Sequence, residues 1–239
     1  MMLSNRIVRI YELSQSEIEV MYQLMKQYYD NIFRDKFLKD LKEKEGVLLV
    51  LDGNQNICGF TTYDLYQTNF QNECINVLYS GDTVIRKEYW GQVNTSKMFM
   101  SLLMKCKEEC NGLLFWFLIT KGIRTYRLLP LFFKNYYPSY HVATPEYEKN
   151  IIKHLARLQF KEYYIMAEGV IRFEKGSDCL KNEFCHIDKN KKINPHIQYF
   201  LKVNPGYISG DNLPCIAEID LDNFTNRALK FIDNVVVKV

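Results

Sequence analysis

The residues of this chain best suited to chemistry gather between Cys74 and Glu109, in CINVLYSGDTVIRKEYWGQVNTSKMFMSLLMKCKEE. An apolar strand bearing Ile75, Val77 and Leu78 runs through Tyr79-Ser80-Gly81-Asp82-Thr83, and the chain turns from Arg86 to Gly91 into apolar residues at helical spacing. A strand, a tight polar turn and a helix start form a site for a phosphate-bearing ligand, because backbone N–H groups and the helix dipole point into the turn. Gln92, Asn94, Thr95 and Ser96 add N–H and hydroxyl donors there.

Other chemistries have weaker signals. His154 and His186 lie apart in sequence, and neither has a serine or cysteine in a nucleophile elbow. Seven cysteines, without CxxC pairing or a histidine cluster at zinc spacing, read as reduced thiols with no metal, and Cys106 and Cys110 as packing residues on one helix face. The balance of 31 basic against 28 acidic side chains, a net +3, demands neither nucleic acid nor an anionic membrane as partner. The lysine run Lys189 to Lys192 reads as a solvated loop. The N-terminal MMLSNRIVRIYELSQSE lacks an apolar signal region, and no apolar run reaches the ~18 residues of a membrane span. The expectation is a cytoplasmic protein without membrane contact, and the sequence leaves its oligomeric state open.

The elements that must position the central stretch follow from periodicity. Arg6 to Leu13 alternates as a strand, and Ser14 or Ser16 then caps a helix through Tyr29. Asn31 to Lys44 is a second amphipathic helix. Val47 to Leu51 and Ile57 to Leu65 form a hairpin across Asp52-Gly53-Asn54-Gln55-Asn56, with Gly53 expected at positive φ. Asn94 to Cys110 is a long helix with Met98, Phe99, Leu102, Leu103 and Cys106 on one face. GLLFWFLIT, Gly112 to Thr120, lacks alternation and so predicts a strand covered on both faces. Strand, helix, strand, helix implies a parallel pair. Pro130 must start, end or kink a helix between Ile123 and Tyr137. Beyond come a helix from Pro145 to Leu158, a strand over Phe160 to Phe173 and a polar loop over Glu174 to Asn194. A short helix from Pro195, a late strand from Leu213 to Leu221 and a terminal helix from Asn223 complete the chain.

This order resembles the GCN5-related N-acetyltransferase (GNAT) fold. Thr83-Val84-Ile85-Arg86-Lys87-Glu88-Tyr89-Trp90-Gly91-Gln92-Val93-Asn94-Thr95 resembles that family's acyl-CoA signature, and WFLITKGIRTY from Trp116 and Asn204-Pro205-Gly206-Tyr207 to Gly210-Asp211 resemble motifs of a bacterial branch. The resemblance implies an α/β fold with a mixed, mostly antiparallel sheet, a splayed parallel strand pair and flanking helices. It implies a core over residues 1–140, with 141–239 an extension packed on or completing the same domain.

The function so implied is acyl transfer from acetyl-CoA or another acyl-CoA to a small-molecule or peptide amine. Coenzyme contacts fall on Thr83, Val84, Ile85, Trp90, Gly91, Gln92, Val93, Asn94 and Thr95. Asp82 is the candidate base or amine anchor, or else accepts backbone N–H bonds at a bulge beside Gly81. Tyr126 is the candidate acid, or else a core residue. Tyr79 and Arg124 are candidates for substrate binding, with Lys121 and Arg127 nearby, or else Arg124 is a solvated helix-start residue. The aromatic run Leu131 to Pro138 either lines an acyl pocket or forms a core edge. Val93 and Thr95 stand where glycine or small residues are usual, and Trp90 where a basic residue is common. Two other readings therefore stand: a GNAT-like interaction module without coenzyme, or an acyltransferase using acyl carrier protein as donor.

Overall fold

The computed structural model describes residues 3–185, 187 and 193–236. His186 and the run Lys189 to Lys192 lie outside the described residues.

The chain opens with β1 (Ser4–Arg9) and α1 (Gln15–Tyr28). Of the two serines offered by the sequence, Ser14 is the cap: its hydroxyl accepts from the Glu17 N–H while Glu17 returns to the Ser14 N–H. A two-residue strand β2 (Tyr29–Asp30) leads to α2 (Arg34–Lys42), then β3 (Gly46–Leu51) and β4 (Ile57–Phe70) make the hairpin. Its turn is closed by the Asp52 carboxylate, which accepts from the N–H groups of Asn54 and Asn56 at 2.8 and 2.9 Å. The positive φ falls on Gln55 (64°), not on Gly53, because the Asp52 bonds set the register of the turn.

Next come β5 (Glu73–Ile85), α3 (Val93–Glu109) and β6 (Leu114–Thr120). The helical pattern after β6 divides into α4 (Ile123–Tyr126) and α5 (Leu128–Phe132), with Pro130 in the first turn of α5, where its missing N–H costs little. After α6 (Glu146–Phe160), the single strand expected from Phe160 to Phe173 is instead a small hairpin, β7 (Tyr164–Ile165) and β8 (Val170–Ile171). Gly169, at φ 68°, makes the turn, and the aromatic side chains find burial against α6 without joining the main sheet. The remaining elements are β9 (Cys179–Leu180), α7 (Asn182–Cys185), α8 (Pro195–Val203), β10 (Leu213–Glu218) and α9 (Asn226–Val236). The polar stretch after Glu174 therefore carries a strand that pairs with β2.

The main sheet has the order β1-β3-β4-β5-β6-β10, antiparallel throughout except for β5 and β6, which run parallel. This is the mixed sheet with one parallel pair that the GNAT resemblance implies. Leu78, Trp116 and Leu118 pack on one face with Phe99, Leu103 and Phe132 from the helices and with Phe224 from the segment before α9. On the other face Val77, Tyr79, Phe115 and Phe117 pack with Ile151 and Leu155 of α6, while α1 and α2 cover β3 and β4. Cover on both faces explains why β6 shows no alternation. Since β10 lies on the free edge of β6, part of the chain beyond residue 140 belongs to this sheet.

The β5–β6 ladder runs only from Asn76 opposite Leu114 to Ser80 opposite Leu118. There the buried Trp116 indole N–H donates to Ser80 Oγ at 2.9 Å. Beyond it β5 continues to Ile85 paired with β4 alone, and β6 ends paired with β10 alone. The two strands part. A bulge marks the same place: Thr61 opposes Thr83 and Tyr63 opposes Ser80, so Gly81 and Asp82 together face Thr62. A Cβ on Gly81 would lie 2.7 Å from Thr62 Oγ1, so glycine is required there.

Candidate functional site

Where β5 and β6 separate, they leave a cleft of about 360 Å³ that runs from the bulge to the start of α3. One wall is the free edge of β5, contributed by Thr83, Val84 and Ile85; Tyr79 and Asp82 lie at its inner end. Trp90, Gly91, Gln92, Val93 and Thr95 line the α3 end, and Arg124 the opposite side. Asn94 and Tyr126 lie outside this lining, as does the aromatic run after Leu131, whose Phe132, Phe133 and Tyr136 are buried in the core. Tyr126 is fully buried, its hydroxyl donating to the Pro138 carbonyl at 2.9 Å and its ring against Phe200. Burial raises its pKa far above the tyrosine range, so it is held as a neutral core phenol.

The turn before α3 is a 3-10 turn over Lys87–Tyr89, followed by Gly91 at φ 75° with no atom within 4 Å of where a Cβ would stand. No side chain caps α3, and its first turn holds no acidic residue. The leading N–H groups therefore keep their capacity for an anion. Val93 points outward, 46% exposed, and does not fill the turn. Thr95 is buried, and its hydroxyl donates to the Tyr89 carbonyl at 3.1 Å. Gln92 similarly spends its side-chain amide on the Glu88 carbonyl at 2.9 Å. These two side chains build the turn itself, and their hydroxyl and amide donors are spent. The Trp90 indole N–H donates to the Ile85 carbonyl at 2.7 Å, and the ring packs against Tyr28 and Phe184. The Arg124 guanidinium stacks on Trp90, 3.7 Å from the ring centre, and donates to the Phe184 carbonyl at 3.1 Å.

At the inner end, Asp82 is enclosed by the bulge and the mouth of β6. It makes no hydrogen bond or ion pair with the described residues, so the bulge does not use it as a backbone acceptor. Burial, reinforced by the nearby Asp178 carboxylate and opposed by Lys121, pushes its pKa up to about 6. Asp82 thus changes charge close to neutral pH. Tyr29 and Tyr79 beside it are raised well above the ordinary tyrosine range, first by burial and then by the Asp82 charge. Lys121 donates to the carboxylate and, at 3.1 Å, to the backbone carbonyl of Asp178. Burial works to raise the Asp178 pKa, but Lys121 prevails and holds it below the usual range.

Asp178, Tyr29 and Leu180 are the site residues that sequence reasoning missed. No local pattern marks Asp178. It sits in a polar, lysine-rich stretch and meets Lys121 only through a contact spanning 57 residues. Among the described residues, no group of three or more His, Cys, Asp or Glu side chains is placed to hold a metal, and no helix is long and apolar enough to cross a membrane.

No family model matches this chain, and no curated protein matches its sequence. Solved structures do show similarity. A probable N-acyltransferase from Enterococcus faecalis is 12% identical over 90% of this chain and 65% of its own, with a TM-score of 0.42. Glucosamine-6-phosphate N-acetyltransferase from Arabidopsis thaliana is 12% identical over 48% of this chain and 82% of its own, at 0.36. The ribosomal-protein-S18-alanine N-acetyltransferase from Escherichia coli is 10% identical over 59% of this chain and 86% of its own, at 0.39. Likenesses this distant carry no argument about donor or acceptor.

Proposed function

We propose that the cleft is the active site of an acyl-CoA-dependent N-acyltransferase. The single observation that carries this reading is the parting of β5 from β6 at Ser80, which opens a free strand edge between an unpartnered carboxylate and an uncapped helix start. The residues present suit a coenzyme thioester. Gly91 leaves room for a phosphate close to the backbone, the α3 N–H groups favour its charge, and the β5 edge beyond Ser80 has no strand partner on the β6 side. A bound acyl thioester supplies the acyl carbon, which gains a C–N bond to the amine as its C–S bond breaks and a thiolate leaves.

The chain's own contribution is positioning and proton transfer. An amine reacts only when neutral, and an ionised Asp82 accepts the proton that the amine must lose. A carboxylate with a pKa near 6 is a stronger base than an ordinary one and is still ionised at neutral pH. The β5 edge and the α3 N–H groups hold the donor in line with that carboxylate, the entropic part of the work.

Calorimetry with coenzyme A, acetyl-CoA and longer acyl-CoAs tests the reading: binding that raises the melting temperature is expected, and no stabilisation by any of them at about 1 mM would sink it. One observation favours the coenzyme-free interaction module instead. Trp90 already satisfies the Ile85 carbonyl and, with Phe184 and Arg124, packs over the β5 end. The same titration separates the two readings.

A further inference from the structure

Resting on the acyltransferase reading, we propose that the acceptor is a small monocationic amine that binds on Asp82 as its ammonium ion, and that polypeptide amines are excluded by residues 177–185, which cross the cleft as a strap.

Among the described residues Asp82 has no hydrogen-bonded or ion-paired cation. The charges that act on Asp82 are the carboxylates of Asp178 and Asp40 and the ammonium groups of Lys121 and Lys44. Each lysine is already committed. Lys121 binds Asp178, Lys36 approaches the same carboxylate at 3.9 Å, and Lys44 binds Asp64 at 3.1 Å. The neighbouring hydroxyls of Tyr29 and Tyr79 stay neutral. Arg124, on the opposite side of the cleft, is engaged by Trp90 and the Phe184 carbonyl. Asp82 is left facing the cavity with no cation of its own among the described residues, and an ammonium ion would supply one.

The strap sets the size. Leu180 and Cys179 pair with Tyr29 and Asp30, and the Lys181 N–H donates to the Tyr28 carbonyl at 3.0 Å. The edge of β2, where an extended peptide would add as a strand, is thereby taken. Asp178 pins the strap to the end of β6, and Phe184 fills the space against Tyr28, 4.9 Å between ring centres. Leu180 lies 3.8 Å from where a Cβ on Gly122 would stand, closing the gap to the β6–α4 corner. These contacts tie the strap to α1 and β2 on one side and to the β6–α4 corner on the other. The whole cleft, coenzyme end included, is only about 360 Å³, near the lower end of the range for small-molecule sites.

The test is calorimetric titration of the full chain at pH 8 with propylamine, ethanolamine and glucosamine, and with a hexapeptide whose N-terminal amine is its only charge. At least one small amine is expected to bind, Asp82→Asn to weaken it roughly ten-fold or more, and the peptide to give no signal. Leu180→Trp, which keeps Asp82, is expected to exclude glucosamine while propylamine still binds. Peptide binding as tight as the best small amine, small-amine binding indifferent to Asp82→Asn, or no binding by any amine at about 10 mM overturns the proposal. Coenzyme A titrated separately keeps the two ideas apart. Loss of coenzyme binding with amine binding intact overturns the acyltransferase reading, and the reverse overturns only the acceptor assignment.

Discussion

Lys121 and Asp178 form an ion pair across 57 residues, and after burial the two members of that pair act most strongly on Asp82, in opposite directions. Lys121 sits at the end of β6 close enough to Asp82 to stabilise its charge, but its ammonium is bonded to both the carboxylate and the carbonyl of Asp178. Asp178 then acts on Asp82 as a like charge. The strap therefore closes the cleft and also tunes the carboxylate inside it.

Asp82→Asn is expected to lower turnover by roughly 10²-fold or more. The effect on stability has the opposite sign. A carboxyl whose folded pKa is raised from 3.8 to about 6 is protonated more in the folded than in the unfolded state, so stability falls as pH rises through that window. Removing the charge makes the variant at least as stable as the parent above pH ~6. Thermal unfolding at pH 8 checks this, and equal losses of stability and activity would assign Asp82 a purely structural role.

The acid limb of the pH–rate profile is expected near pH 6, where Asp82 ionises. Asp178→Asn removes the like charge and frees Lys121, and both changes favour ionised Asp82. The limb should move to lower pH. A limb that stays in place in this variant would show that another group governs it.

Tyr126→Phe is expected to leave kcat within about two-fold and to cost roughly 1 kcal/mol of stability, the worth of its bond to the Pro138 carbonyl. Urea denaturation measures the second figure. Loss of turnover with stability intact would restore Tyr126 as an acid.

Gly91→Val forces a β-branched residue to φ 75°, a strained conformation costing about 1–3 kcal/mol, and brings a side chain into the open space of the turn. Coenzyme affinity should fall by more than roughly ten-fold while the melting temperature drops by only several degrees. If the protein unfolds earlier but binds as before, the phosphate site lies elsewhere.

Ser80→Ala leaves the Trp116 indole N–H buried without its acceptor, at a cost of about 1–3 kcal/mol. Because this bond sits at the last β5–β6 pair, the tryptophan fluorescence should report loosening at the point where the strands part. Unchanged emission and stability would mean that the bond does not hold the fork.

Local patterns in the sequence determined most of the elements. Period-2 alternation marked β1, the non-alternating GLLFWFLIT marked β6 as covered on both faces, and Gly91 marked the turn into α3. The bulge beside Gly81 was also legible, since a lone glycine in a strand signals a close approach. These are short-range properties, carried by backbone conformation and by which face a side chain takes. Tertiary structure decided what depends on distance. Tyr126 lies two residues after Arg124 in α4 and looks equivalent to it in sequence, but helix geometry turns it into the core while Arg124 faces the cleft. Val93 and Thr95 looked like obstructions of one kind, yet the start of α3 turns Val93 to solvent and buries Thr95 under Tyr89. Asp178 carried no signal at all, because electrostatic coupling acts through space, and only the folded chain brings the strap against Lys121 and Asp82.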